Sequence, residues 1–199
     1  MHLKLVKKSN IFTHSIVFLI NDVTLSLWFF DASKDTRGHI LNNIVGKLDP
    51  PFSHCEIQFP CGTACSIYMG GTVTMRVREY DLSVYTKKDI KCSRIQAKQA
   101  FKLASKMATD KMPFTKMGMI GTMFGVNVFD SVDSTFCSKL VADLLNETQV
   151  FKLSSCNCTP SSIARTITDH NKIPSKQCIS SKTSNNSNDG STILVLDFK

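Results

Sequence analysis

Three consecutive short segments of alternating apolar and polar residues constrain the fold of this chain more than any other feature. They are HCEIQF (54–59), ACSIYM (64–69) and TVTMRVREY (72–80). The turn residues PCGT (60–63) and Gly70-Gly71 separate them, as in antiparallel hairpins. Because successive side chains of a strand point to opposite faces, these segments predict a small antiparallel sheet that needs a cover on one face.

Helices later in the chain could supply that cover. Residues 93–109 place their apolar side chains on one side at helical spacing, and residues 135–147 predict a second amphipathic helix. The expected fold class is therefore α+β, with the sheet packed against these two helices. A further short helix is expected from Pro160, whereas the Gly-rich residues 117–129 favour a buried loop or short irregular helices.

The region before the hairpins is less regular. SIVFLI (15–20) is typical of a buried strand, which we expect to end at Asn21-Asp22. Residues 24–47 then alternate between helix and loop signals. Pro50-Pro51 excludes helix at the residue before it.

Composition and length are those of one globular domain with a tail. The chain has 199 residues, of which 42% are hydrophobic and 20% charged. We predict a domain over 1–170 and a Ser/Asn/Lys-rich, disordered tail over 171–199 that ends in a short apolar segment. The apolar run after the first lysines stops at Asn21, with no signal-peptide cleavage site and no membrane span. We therefore expect a reducing, cytoplasmic location with mostly free thiols.

The positive charge of the chain is concentrated in its central third. The net charge is +8, and Lys98, Lys102 and Lys106 repeat every four residues along the 93–109 helix. Like charges at this spacing repel, so the stripe favours an anionic partner such as a membrane surface. Nucleic acid is not expected, because no aromatic residues interleave with these lysines to stack on bases.

One cysteine occupies a position suited to nucleophilic catalysis. Cys137 falls in the first turn of the 135–147 helix, behind the potential N-cap residues Asp133, Ser134 and Thr135. The helix dipole and the unpaired N–H groups at this end favour a thiolate. The same N–H groups could bind the oxyanion of an acyl-transfer transition state.

A thiolate nucleophile needs a base, and His54 is the best-placed histidine, because it opens a sheet strand directly after the Pro-Pro turn. A third polar group usually orients such an imidazole. Glu56 shares the face of His54, and Ser66 lies on the returning strand, so both are candidates. A zinc site among Cys55, Cys61 and Cys65, or at Cys156 and Cys158, was the alternative for the cysteines. The spacing lacks a repeated knuckle, so we expect no metal and no cofactor.

These residues carry a resemblance to a known family. FSHCEIQF with its hairpin, then TFCSKLVADLL, then TPSSI (159–163), resemble the circularly permuted branch of papain-like, NlpC-type cysteine hydrolases. This branch includes lecithin retinol acyltransferase-like, YiiX-like and viral proteins, and it runs His before Cys. The resemblance covers about residues 12–168.

The resemblance implies a permuted papain-like fold in which Cys137 is the nucleophile, His54 the general base and Ser66 the third residue. It also implies that the TPSS segment packs beside the site. The function expected is a thiol hydrolase or acyltransferase acting on a peptide, isopeptide or lipid-acyl substrate through a covalent acyl-enzyme. Two alternatives remain: a catalytically degenerate binding or virion-associated protein, and a membrane-surface adaptor. For a viral member, the location would be the host cytoplasm.

Overall fold

The chain forms an α+β fold around a five-stranded antiparallel sheet. The computed structural model describes residues 22–34, 46–123 and 133–172. The strands are β1 (Asp22–Phe30), β2 (His54–Gln58), β3 (Thr63–Ser66), β4 (Thr74–Val77) and β5 (Tyr85–Ser93), in the order β4-β3-β2-β1-β5. The helices are α1 (Arg94–Thr109), α2 (Lys116–Met123), α3 (Cys137–Glu147) and α4 (Pro160–Lys172), with single 3₁₀ turns at Ala32–Lys34 and Ser155–Asn157.

The predicted hairpins are confirmed. Strand β2 pairs with β3 in the register Ile57↔Cys65, and β3 pairs with β4 in the register Cys65↔Met75. Gly62 and Gly70 have φ values of 81° and 76°, a region that favours glycine, and each lies in the turn of one hairpin.

The prediction for residues 24–30 is wrong. Strand β1 covers Asp22–Phe30, whereas helix and loop signals were expected from residue 24. The apolar residues Trp28, Phe29 and Phe30 obscured the alternation, because side chains on both faces of this strand are covered. The predicted strand 15–20 and residues 35–45 lie outside the described residues.

Strand β5 was not predicted. It pairs with β1 over nine residues, Tyr85–Ser93, and its inward side chains include Ile90 and Cys92. Lys87, Lys88 and Lys91 interrupt the apolar alternation on which a strand prediction depends. Its location beside β1 shows that burial of alternate positions outweighs the low strand propensity of lysine.

Both predicted helices are confirmed. Helix α1 begins with a capping box, in which Ser93 Oγ accepts from the Gln96 N–H and the Gln96 side chain accepts from the Ser93 N–H. Its small buried residues allow close packing on the sheet, while its basic residues are exposed: Arg94, Lys98, Lys102 and Lys106. Helix α2 covers residues 117–123 of the Gly-rich segment 117–129, for which a buried loop or short irregular helices were expected. Residues 124–132 lie outside the described residues.

The helices α1, α3 and α4 pack on one face of the sheet. Leu27, Ile57 and Cys65 on the strands contact an apolar cluster that includes Leu140 and Leu144 of α3. Helix α4 extends two residues into the predicted tail 171–199, and the rest of that tail lies outside the described residues. Within the described part of the chain, no helix has the length and apolar character needed to cross a membrane.

Candidate active site

Cys137 is the first residue of helix α3. Phe136 occupies the N-cap position and no side-chain hydrogen bond caps the helix, so the predicted caps Asp133, Ser134 and Thr135 are wrong. The reason is that Thr135 remains in an extended bridge with Phe114 and its N–H donates to the Pro113 carbonyl at 3.0 Å. The helix therefore begins later, with first-turn N–H groups that no side chain caps.

The structure brings His54 to Cys137, as predicted. His54 begins β2 at the rim of the sheet, and α3 packs against this strand. Hydrogen bonds to the Cys137 sulfur from the Cys55 thiol, and then from the His54 imidazole, hold the pKa of Cys137 well below its ordinary value of 9.0, although burial opposes this shift. The arrangement therefore favours a thiolate beside a histidine.

The pKa of His54 is shifted in the direction that this arrangement favours. Burial opposes the charged imidazole, but the hydrogen bonds to Cys137 and Glu56 outweigh it and raise the pKa of His54 from 6.5 to about 9. Both groups are shifted toward their charged forms, so the site favours a thiolate beside an imidazolium. Cys55 is the neutral thiol of the cluster, since burial raises its pKa well above 9.0.

Glu56 is the group that orients His54. The His54 Nε2 and Glu56 Oε1 atoms are 3.1 Å apart, and the Tyr68 ring stacks on the imidazole with centroids 4.8 Å apart. An ionised carboxylate only accepts hydrogen bonds, so Nε2 carries the proton. Of the two imidazole nitrogens, Nδ1 is then left to exchange a proton with Cys137.

Glu56 is fully buried and still ionised. Burial opposes ionisation, but the hydrogen bond and charge of His54, together with Arg78 and Tyr80, lower the pKa of Glu56. Arg78 Nη1 donates to Oε1 at 2.6 Å, Tyr80 donates to Oε2 at 2.8 Å, and Tyr68 also donates to Oε1. This saturated set of donors fixes the carboxylate, as a buried charge requires.

Ser66, the other candidate for the third residue, does not take this role. Its hydroxyl lies 3.4 Å from that of Thr74 on β4, whereas the imidazole of His54 contacts Glu56. The register Ile57↔Cys65 places Ser66 across from Glu56 and Tyr68 across from His54. Of the two candidates for the third residue, Glu56 is the one whose carboxylate reaches the imidazole.

Sequence reasoning missed four residues of this site: Arg78, Tyr80, Tyr68 and Cys55. Arg78 and Tyr80 follow β4 and fold over β2, which no local pattern indicates. Tyr68 could have been found from the hairpin register, since it follows β3 by two residues. Cys55 was considered as a zinc ligand, and no local pattern indicates its hydrogen bond to Cys137.

A cavity opens beside the Cys137 sulfur. Its apolar lining includes Leu48, Phe52, Met119, Phe136 and Pro160, and its polar lining includes Asp49, Ser53, Thr122, Ser138 and Thr159. The TPSS segment packs here, as expected: Ser161 Oγ donates to the Asp49 carbonyl at 2.6 Å and accepts from the Phe52 N–H at 3.0 Å. These bonds hold residues 49–52 against the start of α4.

Among the described residues, no group of three or more His, Cys, Asp or Glu side chains is arranged to hold a metal ion. Of the three hairpin cysteines considered as zinc ligands, Cys61 is exposed, whereas Cys55 and Cys65 are buried. Compared with known protein families, curated proteins and solved structures, the chain matches none.

Proposed function

We propose that this protein is a cysteine hydrolase or acyltransferase of the circularly permuted, papain-like, NlpC-type kind. The proposal depends on the arrangement of three side chains. The buried Glu56 accepts a hydrogen bond from the His54 imidazole, and that imidazole contacts Cys137. The order of these residues, with a strand histidine before a helix-start cysteine, supports the permuted assignment. Papain itself has the reverse order.

The reaction begins at Cys137. Its thiolate attacks the carbonyl carbon of an amide, isopeptide or ester, and first-turn N–H groups of α3 donate to the oxyanion that forms. His54, held as an imidazolium, gives its proton to the leaving nitrogen or oxygen as the tetrahedral intermediate collapses. The product is a thioester on Cys137, with the first product released.

Deacylation returns the site to its starting state. Water or an acceptor hydroxyl or amine attacks the thioester, and the neutral His54 takes its proton as the Cys137 thiolate leaves. Hydrolysis and transfer differ only in this acceptor. The negative charge of Glu56 stabilises the imidazolium before and after each turnover.

The cavity supports a substrate with an apolar group next to the reacting carbonyl. Leu48 is half-exposed at this cavity, and Met119 and Phe136 also line it. Asp49, the acidic residue of the lining, is engaged by Arg165 at 3.0 Å and by Thr159, so its charge is neutralised within the fold. A peptide, isopeptide or lipid-acyl substrate fits this description, in a reducing compartment such as the cytoplasm.

The test is the reactivity of Cys137 resolved by site. Wild type and His54→Ala are treated with iodoacetamide from pH 5 to 9, and alkylation is mapped by mass spectrometry. Cys61 is exposed, and hydrogen bonds from Thr63 lower its pKa, so all variants carry Cys61→Ser. His170→Ala, a histidine change on α4, is the matched control.

We expect Cys137 to react ahead of the other cysteines near pH 6, and to lose that lead in His54→Ala but not in His170→Ala. Turnover of p-nitrophenyl butyrate should follow the same order and vanish in Cys137→Ser. Equal reactivity of Cys137 and the buried thiols would contradict the proposal and favour a degenerate binding protein.

A second function, binding to an anionic membrane surface, is supported by α1. Lys98, Lys102 and Lys106 are all exposed on this helix, and Ile95 is 54% exposed near its start. Lys98→Glu/Lys102→Glu/Lys106→Glu should abolish cosedimentation with phosphatidylserine vesicles while ester turnover is retained. Binding that is unchanged in this triple variant would contradict the role of α1.

A further inference from the structure

The hydroxyl of Ser53 is buried and has no hydrogen-bond partner among the described residues. The residue is 5% exposed. Its backbone is satisfied, since its N–H donates to the Phe30 carbonyl at 3.0 Å. Burying a hydroxyl without a partner destabilises a fold, so a native protein that keeps such a group needs a reason for it.

Ser53 lies where a reacting carbonyl would be bound. It directly precedes His54, and it lines the same cavity as Cys137. Ser53 lies one residue before β2, and it lines this cavity together with Cys137 and Ser138 at the start of α3. The unpartnered oxygen therefore belongs to a residue of the Cys137 cavity.

We propose that Ser53 Oγ–H donates a hydrogen bond to the substrate's carbonyl oxygen and strengthens it as that oxygen becomes an oxyanion. This role rests on the proposed function. Together with first-turn N–H groups of α3, the Ser53 hydroxyl forms an oxyanion site with donors on two sides. The ligand of this site is the acyl group of the substrate. No bond of Ser53 forms or breaks in the reaction.

The chemistry favours a donor rather than a second nucleophile. A serine hydroxyl needs a base to attack, and the imidazole is already engaged by Glu56 and Cys137. A hydroxyl whose proton no other described group holds can rotate toward the charge that develops beside it. The cavity is largely apolar, which strengthens such a hydrogen bond.

The experiment separates oxyanion binding from thiol chemistry. Alkylation of Cys137 by iodoacetamide is a displacement at carbon with no oxyanion, whereas acylation by p-nitrophenyl butyrate passes through one. Both rates are measured on the Cys61→Ser background for Ser53→Ala, Ser53→Thr and Ser53→Val, with Ser83→Ala as an exposed control. Thermal melting establishes that each variant is folded.

We expect Ser53→Ala to reduce kcat/KM for the ester by roughly 10²-fold and to leave the rate and pH dependence of alkylation unchanged. Ser53→Thr keeps the hydroxyl and should retain most of the activity, and its near-isostere Ser53→Val should lose it. This second pair decides the question if Ser53→Ala does not fold.

Three outcomes would overturn the inference. Equal ester turnover in wild type and Ser53→Ala would make the hydroxyl a passive group or a water site. Parallel losses of alkylation and turnover would make Ser53 a residue that positions the dyad. If the wild-type Cys137 is alkylated ahead of other thiols but is never acylated, the cavity does not accept an acyl group and the inference fails. An inert Cys137 would instead overturn the proposed function itself.

Discussion

The two faces of the sheet have opposite chemistry. The face toward α1, α3 and α4 is aliphatic, with Leu27 and Ile57 packed on Leu144. The other face carries Glu56, which contacts Arg78 and Tyr80. Aliphatic packing tolerates rearrangement, whereas a buried carboxylate needs each of its donors.

His54 joins these two faces. At the start of β2 it contacts Glu56 on the polar side and Cys137 on the helix side. The aliphatic face provides stability and places the sulfur of Cys137, while the polar face sets the charge of the imidazole. Perturbing each face in turn should therefore change different properties.

The largest loss of stability is expected from Glu56→Gln. Neutralising Glu56 leaves Arg78 without its buried anionic partner, which should reduce the free energy of unfolding by roughly 3–5 kcal/mol. The pKa of His54 should also fall, because Glu56 raises it. Denaturant unfolding and the alkaline limb of ester turnover measure the two effects. Ser66→Ala, on the same face across the hairpin, is the control and should leave that limb in place.

Leu144→Ala perturbs the aliphatic face alone. Leu144 is fully buried, and the cavity left by truncation should reduce the free energy of unfolding by roughly 2–5 kcal/mol. At temperatures where the variant is folded, the pH dependence of Cys137 alkylation should match that of wild type. A shifted pH profile would show that the two faces are not separable.

The pH dependence of turnover tests whether Cys137 and His54 act as an ion pair. The active form requires the thiolate, which is lost as pH falls through the lowered pKa of Cys137, and the imidazolium, which is lost above about pH 9. A bell-shaped kcat/KM profile is expected, falling about tenfold per pH unit on each side. An alkaline limb near pH 6.5, the ordinary value for histidine, would show that the imidazole is not stabilised as a cation.

Stability follows the same two shifts with opposite signs. The raised pKa of His54 contributes stability that is complete below pH 6.5 and lost as pH rises through about 9. The lowered pKa of Cys137 contributes stability that is present above pH 9.0 and lost as pH falls through its folded value. Urea titrations at several pH values for wild type and Cys137→Ala would measure the difference.

Cys55→Ala should change the pH dependence of Cys137 alkylation, and its effect is expected to be the smallest of these variants. This change removes the thiol that contributes most to lowering the pKa of Cys137, while His54 and Glu56 remain. The acid limb of alkylation should move to higher pH, and the alkaline limb of turnover should stay in place. Cys65→Ala, a buried thiol on the neighbouring strand, is the control. An unchanged acid limb would show that His54 stabilises the Cys137 thiolate without help from Cys55.

Much of the fold could be predicted locally. The hairpins, α1 and α3 depend on alternation, glycine turns and helical spacing within short windows, and the dyad follows from two such elements. Strand β5 could not be predicted, because its lysines have low strand propensity and only pairing with β1 stabilises it. The N-cap of α3 was also misassigned, since a tertiary bridge between Phe114 and Thr135 delays the helix.

The amino-acid sequence by itself determined the α+β class, the helix start at which Cys137 lies and the strand that carries His54, because each depends on residues a few positions apart. Only the tertiary structure decided that Glu56 rather than Ser66 orients the imidazole, that Arg78 and Tyr80 hold Glu56, and that Ser53 is left unpartnered among the described residues. Arg78 and Tyr80 lie 22 and 24 residues after Glu56 in the chain, and the choice between Glu56 and Ser66 depends on which side chain reaches the imidazole once the strands have paired. The energies of these contacts come from burial and charge, which exist only after the sheet and helices have packed.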